Sequence, residues 1–200
     1  LLTLAKLEIP AATEFLDPVT PRYIGDLISW ACIGARTAES QIHRQFASGL
    51  SMPVAFKNNT AGCVEVAING AKAAAHPHTG FGIDDTGQIA IVHTKGNRDA
   101  HIALRGGVDG PNYHPEAIHT ALSLLKMHNL PERIIIDCSH DNSGKQYEAQ
   151  KSVFEAVLEQ CIQGNEAIRG LALESHLFAG NQGVPLDRSR LQYAVSITDA

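Results

Sequence analysis

Apolar positions along this chain follow two periods that take turns. Compact apolar runs occupy residues 12–16, 32–36, 53–57, 101–105, 133–138 and 168–173. Between most of them the spacing becomes helical. A helix is expected over about 21–30, with Ile24, Leu27 and Ile28 on one face, and Pro21 suits its first turn. Another is expected near 38–49, with Ile42, Phe46 and Leu50 on one side, and a third over 62–75, with Val64, Ile68 and Ala71 inward. Two more follow, near 114–128 and 145–163, the last with Val153, Phe154, Val157, Leu158 and Cys161 as its apolar stripe. Alternating strands and helices predict an α/β fold with a parallel sheet. The alternation breaks once, over about 79–94. There, Asp84-Asp85-Thr86-Gly87 joins two apolar runs, which is the signal of a β-hairpin. Residues 179–198 read as loop.

The strand ends carry the chemistry. The six runs finish in, or just before, Glu14, Arg36, Lys57, Arg105, His140 and Glu174. In a (β/α) barrel the C-termini of the strands converge on one mouth. An open doubly wound sheet is the rival, but no GxGxxG or Walker pattern opens a helix here. Arginine offers a planar fork to carboxylate and phosphate, and lysine a point charge. Taken singly, each cation would be read as half of a surface ion pair. On successive strand ends, together with Glu14, His140 and Glu174, they predict a site for a phosphorylated, carboxylated substrate beside a metal.

Composition narrows the class. Two hundred residues fit one domain. A net charge of −5 argues against a general nucleic-acid binder. No apolar run suits a membrane span, and Leu1 to Pro10 shows neither the charged start nor the cleavage site of a signal peptide. A cytoplasmic protein is expected, touching neither membrane nor nucleic acid. Cys32, Cys63, Cys138 and Cys161 lie far apart without CxxC spacing, so buried free thiols are expected. Cys138, two residues before His140, reads as a core strand residue and not as a ligand. The chain opens without Met and stops abruptly after Ser196-Ile197-Thr198-Asp199-Ala200, so a fragment is expected.

The ordered motifs Glu-Phe-Leu-Asp, Ile-Gly-Ala-Arg-Thr-Ala-Glu-Ser, Phe-Lys-Asn, His-Ile-Ala-Leu-Arg-Gly-Gly, Pro-Asn-Tyr, Ile-Asp-Cys-Ser-His, Glu-Ser-His-Leu and Ser-Ile-Thr-Asp-Ala together resemble the microbial class I 3-deoxy-D-arabino-heptulosonate 7-phosphate synthases. The resemblance runs through nearly the whole chain. It implies an incomplete (β/α)8 TIM barrel comprising about the third to eighth strands, as a single partial catalytic domain with an inserted hairpin. The family's first two strands, its metal-ligand cysteine, its Lys-Pro-Arg-Thr segment and the helix after strand eight fall outside this sequence.

By the same resemblance, Arg36, Lys57 and Arg105 contact phosphoenolpyruvate, and Lys57 is also a proton carrier. His140, Glu174 and Asp199 are metal ligands, a set that suits Mn, Fe or Co. Glu14 helps place the attacking water. The implied reaction condenses phosphoenolpyruvate with erythrose 4-phosphate, the first step of the shikimate pathway and of aromatic amino acid biosynthesis. The implied parent is a homo-oligomer regulated by an aromatic amino acid bound at the hairpin. Gly82 occupies a position where family members carry Ser or Gly, and Gly favours tyrosine over phenylalanine. Asp84-Asp85 departs from the usual Thr-Lys and keeps tryptophan open, and a hairpin serving only oligomer packing is the plainer reading. The alternative for the 200-residue piece itself is a truncated, non-catalytic phosphate- or phosphoenolpyruvate-binding module. Octulosonate phosphate synthase chemistry on the same fold matches the motifs less well.

Overall fold

A computed structural model describes residues 1–84 and 86–198. Its spine is six parallel strands: β1 (Ala12–Glu14), β2 (Trp30–Ile33), β3 (Val54–Lys57), β6 (His101–Leu104), β7 (Ile134–Asp137) and β8 (Ile168–Ala172). They lie side by side in that order, and β4 (Thr79–Ile83) and β5 (Ile89–His93) form a separate antiparallel pair between β3 and β6. Helices α1 (Leu2–Lys6), α2 (Thr20–Ile24), α3 (Gln41–Ala47), α4 (Val64–Ala74), α5 (Pro115–Met127) and α6 (Ala149–Ile162) complete the set.

Strand alternation sorts the side chains onto two faces. On the helix side, Ile33, Val54, Phe56, Ile102, Leu104, Ile134 and Ile136 join Ile68, Ala71, Ile118, Leu125, Val153 and Val157 in one core. The opposite face carries Cys32, Ala55 and Ala103, bordered by Trp30 and Ile135. Bulky residues outside and small ones inside suit a sheet that curls toward its inner face. Sequential parallel strands with helices on the outer face are part of a (β/α)8 barrel, as the strand-end pattern predicts. Helix α4 packs closely on β3. A Cβ on Gly70 would stand 2.4 Å from the Phe56 ring, so only glycine fits there. Truncating Phe56 would cost about 3–5 kcal/mol in lost transfer energy and cavity.

Several expected boundaries shift. The run at 32–36 becomes a strand ending at Ile33, because Gly34 and the residues after it turn toward α3. The helix expected over 21–30 divides into α2 and a 3-10 turn at Gly25–Leu27. Ile42 is 62% exposed and belongs to no core stripe, although Phe46 and Leu50 do pack inward. Leu158 likewise faces out. All four cysteines are free, but Cys63 is exposed, because it sits just before the first turn of α4 rather than in a strand. The hairpin forms as expected, and Asp84 Oδ1 accepts from the backbone N–H groups of Thr86 and Gln88.

Candidate active site

The inner-face positions at the strand C-termini are charged or polar. Lys57 closes β3, Asp137 closes β7, and Arg105 follows β6 directly. Lys57 Nζ lies 2.9 Å from Asp137 Oδ2, and both side chains are nearly buried. Burial alone would push the Lys57 ammonium down, but Asp137 beside it, with Glu14 further off, holds its pKa above the ordinary lysine value. Burial would likewise raise the Asp137 carboxyl. A hydrogen bond from His140, the charge of Lys57 and the Ser139 hydroxyl outweigh it, and the group lies well below the usual carboxylate range.

His140 is set by both of its ring nitrogens. Its Nδ1 is 3.0 Å from Asp137 Oδ2 and 2.8 Å from Ser139 Oγ, whose hydroxyl in turn donates to Asp137 Oδ1 at 2.5 Å. These contacts put the proton on Nδ1 and leave the lone pair on Nε2. That lone pair faces Glu174 Oε1 across 3.5 Å. Two acceptors so placed repel unless a cation, proton or metal, joins them. Ligands bound about 2.1 Å from one ion stand roughly 3–3.5 Å apart, so the spacing fits a shared metal. One donor atom from each of Asp137, His140 and Glu174 lies within 4.8 Å of the others. Asp137 is already engaged by Lys57 and by Nδ1. Its place is behind the histidine, where a carboxylate commonly fixes the tautomer of a metal-binding imidazole. Asp199, the third expected ligand, lies outside the described residues.

Arg105 is buried beside this cluster. Its Nη1 pairs with Asp141, and its Nε has no hydrogen-bond partner among the described residues. A buried guanidinium N–H left over in this way is a donor for an anion oxygen. Three asparagines hold the backbone that carries it. Asn58 Oδ1 accepts from the Arg105 N–H at 2.9 Å, and Asn58 Nδ2 donates to the Gly106 carbonyl at 2.7 Å. Asn112 Oδ1 accepts from the Gly106 N–H at 2.7 Å. Asn142 Nδ2 donates to the Leu104 and Asp137 carbonyls at 3.2 and 2.7 Å. The arginine strand and the histidine strand are thereby tied at their exits.

Glu14 stands over Gly34, where an added Cβ would come 2.0 Å from its Oε1, so the carboxylate needs glycine beneath it. Cys32 beneath this cluster has its thiol pushed up to about 12 by burial and is inert as a nucleophile. Cys138 faces the helix-side core and lies off the site. Arg36 is exposed in the turn after β2, and among the described residues no hydrogen bond or ion pair joins it to the others.

The geometry therefore gathers Lys57, His140 and Glu174 around Asp137, brings Arg105 alongside through the asparagines, and leaves Arg36 at the rim. Asp137, Asp141, Asn58, Asn112 and Asn142 are site residues that motif reading left without roles. The inward parity of Asp137 with Lys57 was the one signal that could have found it. A cavity of about 600 Å³ lies under the hairpin, lined by Pro18, Arg22, Phe46, Phe81, Gly82 and Val92 among others.

A family model described as the DAHP synthetase I family matches residues 4–200. The Tyr-sensitive phospho-2-dehydro-3-deoxyheptonate aldolase of Escherichia coli (strain K12) is 49% identical over 200 residues, covering all of this chain and 56% of that protein. The Phe-sensitive aldolase of the same organism is 48% identical over 192 residues, covering 96% of this chain and 54% of that protein. The solved phospho-2-dehydro-3-deoxyheptonate aldolase of Francisella tularensis SCHU S4 superposes with a TM-score of 0.92 at 44% identity, covering 98% of this chain and 57% of that one. The chain thus spans just over half the length of these relatives. The strand-end cluster, the inserted hairpin and the family match along nearly every residue lead to one conclusion: the chain belongs to the DAHP synthetase I family.

Proposed function

We propose that the protein carrying this chain condenses phosphoenolpyruvate with D-erythrose 4-phosphate and water to give 3-deoxy-D-arabino-heptulosonate 7-phosphate and inorganic phosphate, the opening step of the shikimate pathway. One observation carries the reading furthest. A carboxylate-backed imidazole faces a second carboxylate across 3.5 Å, within a few strand ends of a buried lysine and a buried arginine. That is a cation-binding half and an anion-binding half in one mouth.

His140 Nε2 and Glu174 would hold a divalent ion, with Asp199 as the further ligand and Mn, Fe or Co as the suitable metals. Such an ion would supply Lewis acidity toward the erythrose 4-phosphate aldehyde. The side chains do the rest. Lys57 and Arg105 neutralise and orient phosphoenolpyruvate, with Arg36 reaching in from the rim. Holding the two partners in line removes much of the entropic barrier to attack by C3 of phosphoenolpyruvate on the aldehyde carbon. Glu14 orients the water that adds at C2, and Lys57 Nζ is placed to pass a proton. Phosphate then leaves by C–O cleavage.

The hairpin cavity is the seat we assign to an aromatic amino acid effector. Gly82 lines it, and a Cβ there would press to 2.8 Å on Val92 Cγ2. A side chain at this position would have to displace Val92 or the ligand, so glycine leaves room for a phenolic ring end and tyrosine is the favoured effector.

The test is a steady-state assay of the protein with both substrates and Mn²⁺, following heptulosonate phosphate and phosphate together. Equal, metal-dependent release of both is expected, with inhibition by tyrosine. Binding of phosphoenolpyruvate without turnover would instead favour an anion-binding module. Inhibition by phenylalanine alone would overturn the effector assignment.

A further inference from the structure

Gln150 sits in the first turn of α6, is 4% exposed, and spends both ends of its amide on a single residue. Its Nε2 donates to the Glu174 carbonyl at 2.8 Å, and its Oε1 accepts from the Glu174 N–H at 2.9 Å. A neighbouring β-strand would offer the same pair of bonds. Here one side chain supplies them, two residues after β8 has ended at Ala172. Among the described residues, Glu174 has no hydrogen-bond or ion-pair partners beyond Gln150 and His140. Its side chain is 47% exposed, and the segment that follows is largely irregular. Without the amide, little would fix where the carboxylate stands.

We infer that Gln150 is a positioning residue for the metal site: it clamps the backbone of Glu174 so that the carboxylate faces His140 Nε2. This rests on the reading of His140 and Glu174 as metal ligands. The fold has little need of the clamp, because α6 is anchored by Val153 and Val157 in the core. A glutamine buried only for packing would not have to meet both backbone groups of one site residue. Misplacing a ligand by even about 1 Å is enough to impair chemistry that depends on its position.

The experiment is calorimetric titration of Mn²⁺ into the protein carrying this sequence, in four forms: unchanged, Gln150→Met, Val153→Ala and Glu174→Gln. Methionine keeps the length of the side chain and loses both bonds. Val153→Ala loosens the same helix without touching Glu174. Phosphoenolpyruvate binding, followed by the same calorimetry, and the melting temperature are measured alongside. Gln150→Met should weaken Mn²⁺ binding about 10- to 100-fold, the usual range for losing a group that orients a ligand, with phosphoenolpyruvate affinity within about twofold. Val153→Ala should lower the melting temperature and leave Mn²⁺ affinity nearly unchanged. If Gln150→Met binds Mn²⁺ like the unchanged protein while Glu174→Gln does not, the clamp is refuted and the metal reading stands. If Glu174→Gln binds normally, both fall. If Val153→Ala weakens Mn²⁺ as much as Gln150→Met does, general loosening of α6 explains the loss and the inference is overturned. Should Gln150→Met fail to fold, Gln150→Leu takes its place under the same criteria.

Discussion

Two histidines from neighbouring strands sit at opposite ends of the sheet, and the difference between them separates scaffold from site. His101 opens β6. Its Nε2 accepts the Trp30 indole N–H at 3.1 Å, and its Nδ1 contacts the Asp99 carbonyl at 2.8 Å. Both nitrogens end on neutral partners, so the ring is neutral and complete. His140 follows β7. One of its nitrogens rests on a buried carboxylate and the other faces a second carboxylate. That ring is complete only when a cation arrives. A histidine's capacity to bind metal is decided by what each of its nitrogens already touches, more than by its burial.

The largest effect should come from His140→Ala. Metal-dependent turnover is expected to fall by at least about 100-fold while the melting temperature changes little, since losing a ligand outweighs losing a group behind it. Metal titration paired with thermal unfolding checks both halves. A retained Mn²⁺ response would erase the contrast between the two rings.

Next in size is Asp137→Asn. The amide keeps the shape but removes the charge that sustains both the Lys57 ammonium and the Nδ1–H tautomer of His140. Metal affinity should drop about 10- to 100-fold. Phosphoenolpyruvate binding should weaken as well, because Lys57 loses the partner that keeps it charged. A variant that changed metal binding alone would separate the two halves that Asp137 is taken to join.

His101→Leu should act on stability only. It leaves the Trp30 N–H without a partner, at a cost of about 1–3 kcal/mol, with Mn²⁺ affinity untouched. The pH dependence gives a subtler version of the same test. Burial holds the His101 pKa below the ordinary histidine value of about 6.5; the Asp99 carbonyl and carboxylate oppose this and Arg133 adds to it. The unfolded chain therefore takes up this proton first. The contribution of His101 is full above the unfolded value and declines as pH falls below about 6.5, toward the folded value. Unfolding midpoints between pH 5 and 8 should show that decline in the unchanged protein and lose part of it in His101→Leu.

Much of the fold was legible in the chain. The apolar runs at 53–57, 101–105, 133–138 and 168–173 were bounded to within a residue, because short buried strands on both sides of a helix leave a strong change of period. The first strands were less legible. Residues 30 and 31 carry Trp and Ala, and the polar turn after Gly34 contains the apolar Ala35 and Ala38, so the run was read too late. In the site, Lys57, Arg105, His140 and Glu174 were visible as strand-end residues. Asp137 was hidden inside an apolar run as an apparent strand terminus. Gln150 and the asparagines were hidden because an amide that binds backbone leaves no periodic trace. Arg36 was read from its motif, and the structure leaves it exposed at the rim, three residues beyond its strand.

The most direct measurement is an anomalous difference map at the manganese edge, from crystals of the protein grown with Mn²⁺. One peak is expected about 2.1 Å from His140 Nε2 and within bonding distance of the Glu174 carboxylate, with Asp137 behind Nδ1 and no peak near His101. A peak elsewhere, or one bound through His140 Nδ1 with Asp137 turned away from the ring, would contradict the assignment of the strand-end mouth as the metal centre.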